Sequence, residues 1–250
     1  MKAIALTVLA ALCPIYAALA QTTKAAPAQP ASGRAATTAP AAVAPAQAAK
    51  APAAPGAAAS AVPRLSPDEA AAWAQKNLEG WPKITIALAT TLLEKYGAPE
   101  SNTPQQLHWS HNGPWNRTIL YREGARHNFP RPHQDILEQA VSYKVPPAKI
   151  ADLVRYDGSL VFDRTRGELS VHCDTEEHNI LTLNIADDIV KGERDVDQAL
   201  TYHAQAIRGL ETHDPQAYAE KLRFKLPKSA AETADPADEA ALLRHLDAPE

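Results

Sequence analysis

Three histidines in the middle of the chain could bind a metal ion. His127 and His133 lie in one proline-containing segment, and His172 lies further along, where polar and apolar residues alternate. Imidazole nitrogens and carboxylate oxygens are common ligands of zinc, and a catalytic zinc ion keeps three protein ligands and a water molecule. These histidines, with Asp135 or His178 as a further ligand, predict a zinc site of the kind that metal-dependent hydrolases use.

The same histidines also have a purely structural interpretation. The chain contains nine histidines, and it lacks the HExxH and paired-cysteine motifs whose spacing is specific for zinc. In this interpretation His127 and His133 form hydrogen bonds that fix the proline-containing loop, and His178 satisfies polar groups at the start of a helix. No cofactor is then expected, and zinc is the alternative.

The thiol of Cys173 is a second chemical candidate, because it precedes a predicted helix and is followed by Asp174. A nucleophilic thiolate needs solvent access together with a cationic neighbour or a helix N-terminus. Alternation along residues 168–173 places Cys173 with Leu169 and Val171 on the apolar face of a strand. This pattern favours a buried, unreactive thiol, so no catalytic residue is expected.

Aromatic side chains suggest a noncatalytic function. Trp109, Trp115 and Tyr121 flank a predicted turn and could form a platform that stacks on a sugar ring. In the alternative interpretation Trp109 and Tyr121 fill the core, as aromatic residues mostly do.

Polar residues in two loops could also contact a ligand. Arg164 and Arg166 lie in a predicted hairpin loop, where they could bind a carboxylate or phosphate, or could pair with neighbouring acidic residues. Asn128 lies in the segment ARHNFPRPHQD, residues 125–135, whose two prolines predict an extended, rigid loop. Such a loop can present its side chains to a partner.

Residues 156–190 contain the clearest local structure. A turn, a strand and a hairpin loop are predicted before a return strand over residues 168–173. Since side chains alternate along a strand, Cys173 is expected to point inward and His172 outward.

A helix is predicted directly after this hairpin. Asp174 and Glu177 have the spacing of a capping box, and apolar residues over 181–190 cover an arc of about 200°. Such a wide arc is typical of a central helix that packs against a sheet. His178 and Asn179 fall on the apolar side, where a buried polar group needs a partner. The opposite arc carries Glu176, Glu177, Asn184, Asp187, Asp188 and Lys191.

Turn, proline and capping residues predict further secondary-structure elements. Asn112-Gly113 predicts a β-hairpin, although Pro114 favours a turn of more than two residues. The apolar residues within 136–141 predict a short helix. Capping and proline signals predict further helices that begin near Ser66, Pro82, Pro146 and Asp195.

The N-terminal segment predicts export. A basic residue precedes the apolar residues 4–12, and an A-x-A cleavage site ends at Ala20, which predicts a periplasmic or secreted protein. Cys13 follows Leu12, where bacterial lipoprotein processing requires a small residue, so no lipid anchor is expected. The apolar stretch is shorter than the roughly 20 residues of a membrane-spanning helix, so the mature chain should lack one. It should then contain Cys173 alone, without an internal disulfide.

Composition divides the rest of the chain. Residues 21–64 are rich in alanine and proline and predict a disordered tether, and residues 211–250 predict a peripheral, partly disordered helical tail. The net charge of −4 gives no basis for binding nucleic acid. We therefore expect one α+β domain over residues 65–210, with two short antiparallel hairpins packed by about five helices. Its expected function is to bind a small ligand or a cell-envelope component, and the alternative is the zinc hydrolase.

Overall fold

The computed structural model describes residues 62–228 and 232–234. The predicted signal peptide, almost all of the predicted tether and the end of the predicted tail lie outside these residues. Within the described part of the chain, no helix has the length and apolar character needed to cross a membrane.

Six antiparallel strands form a single sheet in the order β1-β2-β3-β4-β6-β5. The predicted α+β fold is confirmed, and the two predicted hairpins, β2–β3 and β5–β6, are joined by the central strand β4. The strands are β1 (Ser101–Asn102), β2 (Gln106–Asn112), β3 (Trp115–His127), β4 (His133–Ser142), β5 (Val161–Asp163) and β6 (Glu168–Cys173).

The helices carry several of the predicted caps. Ser66 and Asp195 each begin a helix with a capping box, as their sequence context predicts. The helices of the described residues are α1 (Pro67–Asn77), α2 (Lys83–Tyr96), a 3₁₀ turn (Pro147–Lys149) leading into α3 (Ile150–Tyr156), α4 (Glu176–Lys191), α5 (Val196–Glu211) and α6 (Ala217–Glu220).

The N-cap of α4 is Thr175 and not Asp174. The Thr175 hydroxyl accepts a hydrogen bond from the backbone N–H of His178, which satisfies one of the free amides of the first turn. Asp174 instead binds the imidazole of His178. The predicted capping role of Asp174 is therefore wrong, and its carboxylate is directed to a side chain.

Residues 136–141, predicted as a short helix, form the middle of β4. Ile136, Leu137, Ala140 and Val141 are all buried, and they lie on both faces of this central strand. A strand that is buried on both faces loses the alternation of apolar and polar residues that identifies strands in a sequence. The helical spacing of these residues is thus a consequence of burial and not of helix formation.

The turn between β2 and β3 is tighter than Pro114 suggests. Asn112 pairs with Trp115, so only Gly113 and Pro114 connect the strands. Gly113 has a φ of +61°, which glycine adopts without steric cost, and it therefore permits a two-residue turn.

The helices cover one face of the sheet. Leu107, Trp109 and Leu120 join α1 and α2 in one apolar cluster, and Val171 joins α4 in another. Helices α3, α5 and α6 pack on α4 from the side away from the sheet. Part of the predicted tail takes part in this packing, since Leu222, Phe224 and Leu226 contact the second cluster.

Helix α4 is buried around most of its circumference. Glu176, Asn184, Asp187 and Asp188 of its polar arc are buried together with its apolar arc, so these side chains need internal partners. Asn184 donates hydrogen bonds to the carbonyls of Tyr218 and Lys221. Asp187 accepts a 2.8 Å hydrogen bond from the Tyr143 hydroxyl. The helix is thus enclosed between the sheet and a second layer of helices.

We expect Leu181→Ala to lower the free energy of unfolding by about 2–5 kcal/mol, because it removes a large side chain from a tightly packed core. Leu181 is 0% exposed. The matched control is Ile84→Ala, at a position that is 63% exposed, where a change within about 0.5 kcal/mol is expected. Urea denaturation followed by circular dichroism measures both values, and equal losses would contradict the position of α4 in the core.

Candidate metal centre

The hairpin of β3 and β4 brings His127 and His133 together. They are directly opposite each other in the register of the two strands, and their ring centroids are 4.9 Å apart. The sequence interpretation placed both histidines in a loop, whereas they end one strand and begin the next. Asp135 is two residues beyond His133 on β4, so its side chain points to the same face. Three potential metal ligands therefore share the helix-covered face of the sheet.

An irregularity in β3 sets this arrangement. The register between β3 and β4 shifts between Leu120 and Ala125. Gly124 lies in the shifted segment, where a Cβ atom would be 2.3 Å from the carbonyl oxygen of Asp135. The close approach of the two backbones therefore requires glycine. Thr85 of α2 donates a 3.1 Å hydrogen bond to the carbonyl of Arg122 in the same segment.

The donor atoms of these side chains converge. His133 Nε2 lies 3.1 Å from Asp135 Oδ1, and His127 Nδ1 lies 3.3 Å from Asp135 Oδ2. One atom from each of the three residues can be chosen so that all lie within 4.8 Å of one another. Ligand atoms of a tetrahedral zinc ion lie about 3.3–3.7 Å apart, given bond lengths of about 2.0–2.3 Å. The spacing of these atoms is thus close to that of a zinc coordination sphere.

Two of these atoms are enclosed without a hydrogen bond. His127 Nδ1 and Asp135 Oδ1 are shielded from solvent, yet neither has a well-oriented hydrogen-bond partner among the described residues. Buried polar atoms are normally hydrogen-bonded, whereas His127 Nδ1 has only a 3.3 Å contact with Asp135 Oδ2, and Asp135 Oδ1 only a 3.1 Å contact with His133 Nε2. A cation between them fits this arrangement.

The backbone of Arg131 orients His133. Its carbonyl oxygen is 2.8 Å from His133 Nδ1, and a carbonyl can only accept, so Nδ1 carries the proton. Nε2 of the same ring faces Asp135 at 3.1 Å. Metal-binding histidines are usually held by such a second hydrogen bond.

Further acidic groups lie around this hairpin. Asp157 is 4% exposed, and burial raises its pKa despite hydrogen bonds from Ser159. Asp174 is also largely buried, but the hydrogen bond from His178 outweighs burial and lowers its pKa to about 2. Asp135, Asp157 and Asp174 therefore place three carboxyl groups beside His127 and His133.

Cys173 lies next to His133, with its Sγ 3.3 Å from His133 Nε2. His133, Cys173 and Asp174 form a second group whose donor atoms lie within 4.8 Å of one another. Cys173 points inward, as the alternation predicts, and is 7% exposed. Burial, followed by the charge of Asp174, raises the pKa of its thiol well above the usual value. This environment disfavours a free thiolate, so it argues against a nucleophilic cysteine.

A small cavity lies beside His127, His133 and Cys173. Its volume is about 10 Å³, which is enough for one water molecule or one metal ion. Residues from the hairpin, from the ends of α3 and β6, and from helices α4 and α5 line it: His127, Phe129, Pro130, Arg131, His133, Asp157, Cys173, His178, His203 and Ile207.

His172 lies away from this cavity. It points to the opposite face of the sheet, where its Nε2 is 3.2 Å from Glu138 Oε2 and its ring stacks on Tyr121. The structure therefore brings together only His127 and His133 of the three predicted histidine ligands. Cys173, the next residue of β6, lines the cavity in place of His172.

The predicted aromatic platform does not assemble. Trp109 and Trp115 are 2% and 1% exposed, and their indole N–H groups donate to the Gly97 carbonyl and the Tyr96 hydroxyl. Tyr121 lies on the opposite face of the sheet, where its hydroxyl donates a 2.6 Å hydrogen bond to Glu138.

The other predicted binding residues are exposed in two turns. Arg164 and Arg166 lie between β5 and β6, and Arg166 pairs with Asp163 at 3.5 Å. Asn128 lies between β3 and β4, where its side-chain oxygen accepts a 3.2 Å hydrogen bond from Arg126.

The chain was compared with family models, curated proteins and solved structures. No family model, no curated protein and no solved structure matches it. The assignment of a function therefore depends on the geometry of the site.

Glu138 should make the stability of the protein depend on acid pH. Hydrogen bonds from His172, Tyr121 and Arg117 outweigh burial and lower its pKa from 4.5 to about 2. A carboxylate with a lowered pKa stabilises the folded state above its unfolded value, and this contribution is lost as the pH falls through the folded value. The free energy of unfolding should therefore fall between about pH 4.5 and pH 2.

The test is urea denaturation of the wild type and Glu138→Gln at several pH values in this range. The variant should be less stable at pH 6 or so and should lose less stability on acidification, because glutamine does not titrate. Identical slopes would show that the network around Glu138 does not influence acid stability.

Proposed function

We propose that the protein is an exported metal-binding protein with a centre formed by His127, His133 and Asp135, and that the bound ion is zinc or a similar transition metal. The observation that carries this proposal is the convergence of three donor groups on one hairpin, within 4.8 Å of one another. The N-terminal signal pattern supports export.

The kind of donor atom supports this class of ion. Two imidazoles and a carboxylate suit zinc and its neighbours in the first transition series, whereas magnesium and calcium prefer oxygen ligands alone. The carboxyl groups of Asp157 and Asp174 lie next to these histidines, Asp157 at 4.0 Å from His127 and Asp174 within 4.8 Å of His133. Arg131 pairs with Asp174 at 3.3 Å, but its side chain is 39% exposed.

The size of the cavity favours binding over hydrolysis. A hydrolytic zinc site must admit a substrate beside the ion, whereas this cavity has room for one ion or one water molecule. Helices α4 and α5 supply His178 and His203 to its walls. The proposed function is therefore to bind a metal ion in an enclosed site. The sequence predicts a noncatalytic binding module, and in this proposal the metal ion is its ligand.

The metal-free mature chain, residues 21–250, should bind one zinc ion per molecule in competition with a fluorescent chelator. His133→Ala should weaken binding by more than about 100-fold, because even the loss of a residue that only supports a ligand costs about 10–100-fold. Zinc should also raise the melting temperature, since a ligand that binds only the folded state stabilises it.

His111→Asn provides the matched control. His111 is exposed and has a φ of +49°, a conformation that asparagine tolerates. This variant should bind zinc as the wild type does. If the wild type fails to bind zinc stoichiometrically, or if His133→Ala binds equally well, the proposed function is wrong.

A further inference from the structure

Two side chains from outside the hairpin line the same cavity. Cys173 ends β6, and His203 lies in α5 on the layer of helices. Cys173 is buried and free of disulfide bonds. The cavity is therefore bordered by a thiol that has no covalent partner and by a further imidazole.

His203 indicates independently that something fills this space. It is 2% exposed, and its Nδ1 lies 2.9 Å from the hydroxyl of Tyr156. Its Nε2 is shielded from solvent and has no hydrogen-bond partner among the described residues. A ring nitrogen that has lost water and gained no protein partner is unfavourable, so an occupant of the cavity is expected to satisfy it.

The thiol is placed as a ligand would be. Its Sγ is 3.3 Å from His133 Nε2, near the separation of about 3.3–3.7 Å between two ligands of one tetrahedral ion. His133 Nε2 is also the atom that faces Asp135 at 3.1 Å. Cys173 Sγ, His133 Nε2 and a carboxylate oxygen of Asp174 lie within 4.8 Å of one another, so an ion bound to this nitrogen can reach the sulfur.

We infer that Cys173 is a ligand of the ion bound at His133 Nε2, which makes the centre selective for thiophilic ions such as zinc, cadmium and cobalt over manganese and magnesium. This inference rests on the proposed function. On binding, the metal–sulfur bond forms as the S–H bond breaks, and the thiol proton leaves to solvent.

The charges around the sulfur fit this role. The Asp174 carboxylate lies 3.6 Å from the sulfur, so a divalent cation bound here would stabilise the thiolate and this carboxylate together. Thiolate ligands favour soft and borderline metals, whereas carboxylate, carbonyl and water ligands suit magnesium and manganese. The sulfur is thus the group in this centre that distinguishes the two classes of ion.

Cobalt(II) provides the spectroscopic test. The mature chain loaded with one equivalent of cobalt should show a near-ultraviolet sulfur-to-cobalt charge-transfer band together with visible d–d bands. Cys173→Ser should lose the charge-transfer band and keep the d–d bands. The preference for cadmium over manganese, measured by chelator competition, should fall at least tenfold or so in this variant, because serine offers a hard oxygen ligand.

Circular dichroism first checks that Cys173→Ser is folded, and Cys173→Ala replaces it if it is not. The wild-type spectrum also tests the inference without any variant. If cobalt binds stoichiometrically and depends on His133 but gives no charge-transfer band, Cys173 is not a ligand, although the proposed function stands. If neither cobalt nor zinc binds the wild type, the proposed function and this inference both fail.

Discussion

Helix α4 lies between the sheet and a second layer of helices, and this enclosure forces each polar group on it to find a partner inside the protein. Glu176, which is 6% exposed, accepts hydrogen bonds from Gln139, Tyr96 and Trp115 and pairs with Lys95. An unpaired carboxylate at this position would be strongly destabilising. These bonds connect the first turn of α4 to β3, β4 and α2 at once.

The same bonds set the position of the cavity. The first turn of α4 also carries His178, whose imidazole binds Asp174. Asn179 donates hydrogen bonds to the Leu137 carbonyl and to Gln139, both on β4. The start of α4 is therefore fixed against the strand that begins with His133. A directional polar network of this kind defines the alignment of a helix and a sheet more closely than apolar contacts alone.

Local patterns in the sequence predict the elements whose apolar residues keep a regular period. The β5–β6 hairpin and the inward direction of Cys173 follow from simple alternation, and α4 follows from its helical period. Features that depend on distant partners are predicted less well. The middle of β4, residues 136–141, lacks the alternation of a strand and is predicted as a helix. The burial of Asn184 and Asp187 has no local signal, because their partners lie far away in the sequence.

Some residues of the candidate site can be recognised from the sequence, and others only from the tertiary structure. His127, His133 and Asp135 are close in the sequence, so the first metal ligands could be recognised from the segment that contains them. The sequence also contains the reason why His172 is not part of the site. The alternation that turns Cys173 inward places its neighbour His172 on the other face of the sheet. His203 gives no local signal, because only the packing of α5 brings it to the cavity.

The location of the ligands also bears on the order of assembly. Those of the β3–β4 hairpin are separated by only a short loop, so closing that loop costs little chain entropy. Cys173 and His203 are remote in sequence and reach the cavity only when the tertiary structure closes. If the proposed centre binds an ion, a nascent hairpin can capture it before the helices cover the site. Release from the finished protein then requires local opening of α5 or of the turn between β3 and β4, so the proposed centre should exchange its ion far more slowly than it loads it.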